Sequence, residues 1–284
     1  MGQLRILVTG KHGQVARCLA DKAVDRAGVE LIHAARSGTN VHLNLTDNAS
    51  IRSAVRQVAP DVIISAAAYT AVDNAEDEPG LAHQINGIAP GILAEEADAL
   101  SIPILHVSTD YVFSGTLDRP YRPDDAVEPQ GVYGASKLAG EEAVQAATNL
   151  YAIIRTAWVH SPYGSNFPKT MRRLAETRDE ISVVDDQFGN PTDAHEIADC
   201  LLYMAVLATA TPPQGLGEIY HLGGRESMSW CDFARKLLAD VRGPSGERVK
   251  VNAISSADYP TKARRPANSR LDRSKLDALL QNAG

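Results

Sequence analysis

The sequence predicts an α/β fold: a doubly wound, Rossmann-like parallel sheet with a smaller interleaved C-terminal substrate lobe. Three observations predict it. Short apolar runs alternate with helical patterns as far as about residue 160, and strands that are apolar throughout belong to a parallel sheet covered on both faces. The first run ends in a glycine-rich turn that opens a helix, Gly10-Lys-His-Gly13-Gln-Val-Ala16. Residues able to carry chemistry recur at the carboxyl ends of these runs, where such sheets bind ligands.

The elements follow in order. Residues 5–10 (RILVTG), 30–35, 61–68, 102–108 and 151–156 read as strands, the fourth opening at Pro103, where proline is tolerated. Residues 13–27, 51–58, 81–100 and 133–147 read as the helices between them. Right-handed crossovers then give the doubly wound form. After Trp158 the pattern loosens. A helix is expected at 167–178, a strand at 181–184, a helix at 194–207 and a return strand at 218–222. A helix at 230–240, a strand at 249–254, a basic loop and a terminal helix complete the chain. The expected division is a dinucleotide-binding domain at 1–158 plus about 186–222. The substrate-binding lobe takes about 159–185 plus 223–284.

Composition bounds the function. The 284 residues are 44% hydrophobic and 22% charged, and the net charge is −7. These are globular proportions. An acidic chain has no global attraction for nucleic acid or an anionic membrane, so neither is an expected partner. No apolar run approaches the roughly 20 residues a bilayer span needs, and the N-terminus enters a strand with no leader pattern. Cys18, Cys200 and Cys231 fit neither a disulfide framework nor a zinc site. They read as buried thiols of a reducing compartment, and the expected location is cytoplasmic. The eight histidines show no metal-ligand spacing, His160 and His195 included.

The turn at Gly10 and Gly13, with Gln14 and Val15, can present free helix N–H groups to a pyrophosphate, or it can be an ordinary tight turn. NAD sites place an acid at the end of the second strand to bind the ribose 2′-hydroxyl. Here the residues are Ala35-Arg36-Ser37. A guanidinium and a hydroxyl suit a 2′-phosphate, so NADPH is the expected cofactor, with NADH left open. Asn44 and Leu45 fall where an adenine contact would sit. Ala68, Tyr69 and Thr70 close the third strand, where small side chains let a flat cofactor pass.

Tyr133-Gly-Ala-Ser-Lys137 places a phenol and an ammonium one helical turn apart. A nearby cation lowers a phenol's pKa from about 10, which suits a general acid for ketone–alcohol interconversion. Thr109 ends the fourth strand and can bond a substrate oxygen, or simply cap the strand. Trp158 can stack on a sugar or base, or lie in the core. Lys262, Arg264, Arg265, Arg270, Arg273 and Lys275 surround a single acid, Asp272. That basic stretch can hold a diphosphate or be solvated surface.

Together these residues resemble the extended short-chain dehydrogenase/reductase family, almost end to end. The resemblance rests on VTGKHGQVA at 8–16, PDVIISAAAYTAVDNAE at 60–76, STDYVFSG at 108–115 and YGASKLAGE at 133–141. RTAWVHSPYGSNF at 155–167, DQFGNPT at 186–192, SWCDFA at 229–234 and RRPANSRLD at 264–272 extend it. STDYVF and DQxGxPT are far more specific than Tyr-x-x-x-Lys.

The resemblance implies NADPH-dependent reduction of a dTDP-linked 4-keto sugar, dTDP-4-dehydro-6-deoxy-L-mannose, at C4. Another nucleotide-linked 4-keto-deoxyhexose is the runner-up. It implies Tyr133 as the acid, Lys137 as its partner and nicotinamide-ribose ligand, and Thr109 as the tuner of proton transfer. Asp110 and Trp158 match substrate-contacting positions. Gly13, Gln14 and Val15 match the pyrophosphate turn, and Ala68, Tyr69 and Thr70 a cofactor-binding stretch. Some members hold Mg²⁺ at a homodimer contact, and Glu196 lies in the matching region, although one carboxylate is no metal site. The family also contains a non-catalytic NADP-binding regulatory subunit of methionine adenosyltransferase, against which the intact Thr109, Tyr133 and Lys137 argue. Departures are Ala16 for a third glycine, Asn44 for an aspartate and Cys231 for an aromatic.

Overall fold

In the computed structural model, which describes residues 3–282, the chain opens with Leu4–Thr9 (β1), Gln14–Ala23 (α1), Val29–Ala35 (β2), Val41–His42 (β3) and Asn48–Val58 (α2). Val62–Ser65 (β4), Val72–Ala75 (α3), Pro79–His83 (α4), Ala89–Leu100 (α5), Ile104–Thr109 (β5), Val132–Ala147 (α6) and Tyr151–Thr156 (β6) follow. Then come Val159–His160 (β7), Phe167–Ala175 (α7), Glu180–Val184 (β8), Phe188–Gly189 (β9), Thr192–Asp193 (β10) and Ala194–Ala208 (α8). Glu218–Leu222 (β11), Met228–Ser229 (β12), Trp230–Leu238 (α9), Lys250–Ile254 (β13) and Ser274–Asn282 (α10) complete it.

Seven strands form one sheet in the order β11-β6-β5-β4-β1-β2-β3, with every neighbouring pair parallel. Alternation explains why these strands read as continuous apolar runs. On β1, Ile6 and Val8 face a core shared with Leu201 of α8 and Leu19 of α1. Leu7 faces the opposite core, with Leu93 of α5 and Val144 of α6. Strand order reverses between β1 and β4, which places a ligand crevice beyond their carboxyl ends. A separate core around Met171, Ile181, Val183 and Leu238 joins α7 and α9 to the β8–β13 pair.

The structure differs from the sequence pattern at several elements. The helix expected over 81–100 is interrupted by a π turn at Gln84–Ile88, where the Ala89 N–H donates to Gln84 O five residues back. Pro90 has no N–H to continue the ordinary ladder. The strand expected over 61–68 ends at Ser65, because the Thr9 hydroxyl captures the Ala66 and Ala67 N–H groups at 3.0 Å each. The two-residue strands β3, β7, β9, β10 and β12 are too short to carry any periodicity. Among the described residues, no helix is long and apolar enough to cross a membrane.

Helix α6 is pinned to β6 by a buried ion pair. Arg155 donates from Nη2 to Glu141 Oε2 at 2.6 Å and from Nε to Oε1 at 3.0 Å, and its guanidinium lies over the Phe113 ring. Removing one member leaves the other charge buried and unpaired. Glu141→Leu is therefore expected to cost about 3–5 kcal/mol in urea unfolding at neutral pH, and a loss under about 1 kcal/mol, the scale of a surface pair, contradicts this.

Candidate active site

Beyond the carboxyl ends of β1, β4, β5 and β6 lies a cavity of about 780 Å³. Its walls run from the Gly10 turn, past Arg36, Ser37, Asn44 and Leu45 on one side and Ala68 and Thr70 in the middle, to Thr109, Asp110, Tyr133, Lys137 and Trp158. These residues come from seven separate stretches of chain.

The turn after β1 is built for a close-lying ligand. Gly10 has φ +86°, and a Cβ there would press to 3.2 Å from the Ala67 side chain. Gly13 caps α1 with no side-chain hydrogen bond, so the first N–H groups of that helix face the cavity without a side-chain partner. The Gln14 side chain is engaged elsewhere. Its Oε1 accepts from Ser161 Oγ and Asn166 Nδ2, both at 2.9 Å. Only the backbone at Gln14 and Val15 is free for a phosphate. Arg36 is exposed, and no ion pair holds it among the described residues. Asn44 folds its side-chain carbonyl onto Thr46 N and Oγ1.

Tyr69 departs from expectation. Its side chain does not line the cavity. The phenol donates to Glu78, while its backbone is fixed by Asn86, whose Oδ1 accepts from Tyr69 N at 2.8 Å and whose Nδ2 donates to Tyr69 O at 3.0 Å. Asn86 also donates to Ser136 Oγ at 3.0 Å, tying the third-strand loop to α6. Nothing local in the sequence marks Asn86, since both partners lie far along the chain.

At the other end, α6 approaches the turn after β5 with almost no space between. A Cβ on Gly134 would lie 2.2 Å from Tyr111 O. That approach sets Tyr133 edge-on to Tyr111, with ring centroids 5.4 Å apart. Thr109 caps the short 3₁₀ turn at Asp110–Val112, accepting from Tyr111 N at 3.3 Å, and donates to Asp110 Oδ1 at 3.0 Å. It therefore both caps the strand end and lines the cavity. Trp158 follows β6 with φ +49°, a conformation costing a bulky residue on the order of 1–3 kcal/mol. Its indole stacks on Trp230, centroids 3.4 Å apart and 9° from parallel. The contact offsets part of that strain, about 0.5–1.5 kcal/mol beyond burial.

Burial holds the Tyr133 phenol above its ordinary pKa, with the Thr109 hydroxyl pulling the other way. The Lys137 ammonium donates to Val107 O at 2.7 Å and faces His106 Nε2 at 3.2 Å; in the interior it takes the nearest acceptors. Burial draws its pKa down to about 8.

Four of the six cations of the basic stretch have acidic partners. Arg265 pairs with Asp73 at 2.6 Å and Lys262 with Asp77. Arg273 pairs with Glu196 at 2.7 Å and Asp277 at 3.0 Å, and Lys275 with Glu218 at 2.6 Å. These charges fasten the C-terminal segment to the body and do not stand free for a diphosphate. Glu196 is thereby neutralised by a guanidinium, a poor donor set for Mg²⁺. Cys18, Asp21 and His195 come within 4.8 Å of one another. The Tyr163 hydroxyl and His195 already satisfy Asp21, and burial pushes the Cys18 thiol up to about 11. Their contacts need no metal.

Comparisons with known proteins give the family. A family model described as the RmlD substrate binding domain matches residues 4–283. The chain belongs to the RmlD substrate-binding-domain family. A Sinorhizobium fredii protein named dTDP-4-dehydrorhamnose reductase is 45% identical over 274 residues, 96% of this chain and 90% of the relative. One of the same name from Escherichia coli K12 is 40% identical over 275 residues, 96% and 91%. A crystal structure of dTDP-4-dehydrorhamnose reductase from Bacillus anthracis in complex with NADP superposes with a TM-score of 0.87. Its identity is 32%, over 97% of this chain and 92% of that one.

A nicotinamide dinucleotide fits this RmlD-family cavity by its polar groups: bare helix N–H groups and an unpaired guanidinium as donors, with the buried Thr156 Oγ1 and the acceptor Asp110 Oδ2 left without a partner. Asp110 also gives a pH test. Burial raises its carboxyl from 3.8 to about 6, so the folded state holds this proton more tightly than the unfolded chain. Stability is then lost as pH rises from about 4 to about 6. Asp110→Asn is expected to flatten that limb and exceed wild type by about 2 kcal/mol at pH 7.5 in urea unfolding. A variant no more stable than wild type there contradicts the shift.

Proposed function

We propose that this chain reduces the 4-keto group of dTDP-4-dehydro-6-deoxy-L-mannose (dTDP-4-dehydrorhamnose) to give dTDP-L-rhamnose, the last step in making that nucleotide sugar, with NADPH as reductant. The observation that carries the proposal is the convergence of Thr109, Tyr133 and Lys137 on one end of a cavity whose other end is the Gly10 turn. The named activity of relatives at 40–45% identity supports it.

Each residue has a part. The α1 N-terminus at Gly13–Val15 receives the pyrophosphate, and Arg36 with Ser37 receives the 2′-phosphate, which favours NADPH over NADH. Asn44 and Leu45 border the adenine, and Ala68 and Thr70 border the path to the nicotinamide. When bound, the cofactor supplies the hydride. Thr109, turning its hydroxyl proton from Asp110 to the substrate, holds the ketone oxygen, and Tyr133 gives its proton to the alkoxide as charge develops. A phenol held above its ordinary pKa is fully protonated at neutral pH, as reduction requires. Lys137 supplies positive charge one turn along α6, where the phenolate is left, and bonds the nicotinamide ribose. Asp110 and Trp158 contact the sugar. Residues 1–158 with about 186–222 then hold the cofactor, and the remaining segments close on the nucleotide sugar.

The test separates chemistry from binding. Tyr133→Phe is expected to slow single-turnover NADPH oxidation by at least about 10²-fold, while NADPH affinity, followed by fluorescence, stays near wild type. A variant keeping more than about a tenth of the wild-type rate contradicts the acid role.

A further inference from the structure

Lys137 is held by a buried chain that reaches into the sheet. The residue is 2% exposed, and two acceptors on β5 surround its ammonium, Val107 O at 2.7 Å and His106 Nε2 at 3.2 Å. The other ring nitrogen of His106, Nδ1, lies 3.1 Å from Ser65 Oγ at the end of the adjacent β4. His106 is wholly buried and Ser65 nearly so.

Proton counting fixes the state of this chain. An ammonium has three donors and no acceptor, so Nε2 must accept. The ring proton then sits on Nδ1 and is donated to Ser65 Oγ. A second ring proton would set two cations 3.2 Å apart in the interior. Burial, and after it the ammonium, accordingly hold the imidazole well below its ordinary pKa. Two Lys137 N–H groups are spent on β5, and the third is left for the cavity. The other ionisable groups around this point are few. Glu141 on α6 favours the charged lysine but is bound to Arg155 of β6. Tyr133 on α6, with Asp110 and Tyr111 after β5, lines the same cavity as Lys137.

We infer that His106, itself fixed by Ser65, is a positioning residue: it is the acceptor that keeps the Lys137 side chain charged and aimed into the cavity. Its catalytic consequence rests on the reduction proposed above, whereas its effect on Lys137 does not. A hydrogen bond accepted from the charged form favours that form. Without it, a buried ammonium already drawn down to about 8 gives up its proton earlier. The reaction then loses its cation at working pH.

The experiment follows lysine Cε by ¹³C NMR in the cofactor-free full chain, with the Lys137 signal assigned by its loss in Lys137→Met. His106→Leu removes the acceptor, and His106→Gln returns a carbonyl oxygen near the position of Nε2. The Lys137 titration is expected about one pH unit lower in His106→Leu, lower by less in Ser65→Ala, and near wild type in His106→Gln. In NADPH oxidation with the keto sugar, the alkaline loss of kcat/KM shifts by the same amount in His106→Leu and not in His106→Gln. A purely structural role would lower thermal stability and leave both profiles unmoved. An unmoved Lys137 titration in folded His106→Leu overturns the inference; if that variant does not fold, an unmoved titration in Ser65→Ala does so. A wild-type protein that turns over no keto sugar defeats the proposed function, and the NMR titration still decides the role of His106.

Discussion

The site depends on how closely α6 lies against its neighbours. Backbone nearly touches backbone at Gly134, beside Tyr111 O, and again at Gly140, where a Cβ would lie 2.0 Å from Asn86 O. Any side chain at either position would lift the helix. The buried Arg155–Glu141 pair fixes the same helix to β6. These contacts bring the phenol and ammonium of α6 over the ends of β5 and β6. Cofactor chemistry needs that placement within about 1 Å.

The same closeness has a cost in polar groups. Asp110, Thr156 and Ser108 keep buried oxygens with no partner in the fold, and each such group destabilises by about 1–3 kcal/mol. Asp110 and Thr156 line the cavity, so a bound ligand can satisfy what the protein leaves open. Trp158, held at positive φ against Trp230, shows the same pattern of local strain beside the cavity. Stability has been given up where binding recovers it.

Much of this was legible in the sequence because it is local. The Gly10–Gly13 turn, the apolar strand runs and the one-turn spacing of Tyr133 and Lys137 are short-range patterns, and they predict the sheet and its ligand edge. What was not legible is long-range. His106 meets Lys137 across 31 positions of chain and Ser65 meets His106 across 41, with no period to announce them. Asn86 sits in a π turn that its own neighbourhood reads as plain helix. The basic stretch near the C-terminus reads equally as an anion site or solvated surface because the acids that pair four of its cations, Asp73, Asp77, Glu196 and Glu218, lie elsewhere in the chain. Tyr69 was drawn into the site by its neighbours, although only its backbone is held there.

The central claim is that this cavity brings a nicotinamide and a nucleotide-linked ketone together at Tyr133. The most direct measurement supplies NADPH deuterated at the transferable position together with dTDP-4-dehydro-6-deoxy-L-mannose and identifies the product sugar by NMR and mass spectrometry. The account predicts dTDP-L-rhamnose carrying one deuterium at C4, formed in step with NADPH loss. NADPH bound but not consumed, with the keto sugar unchanged, would contradict it.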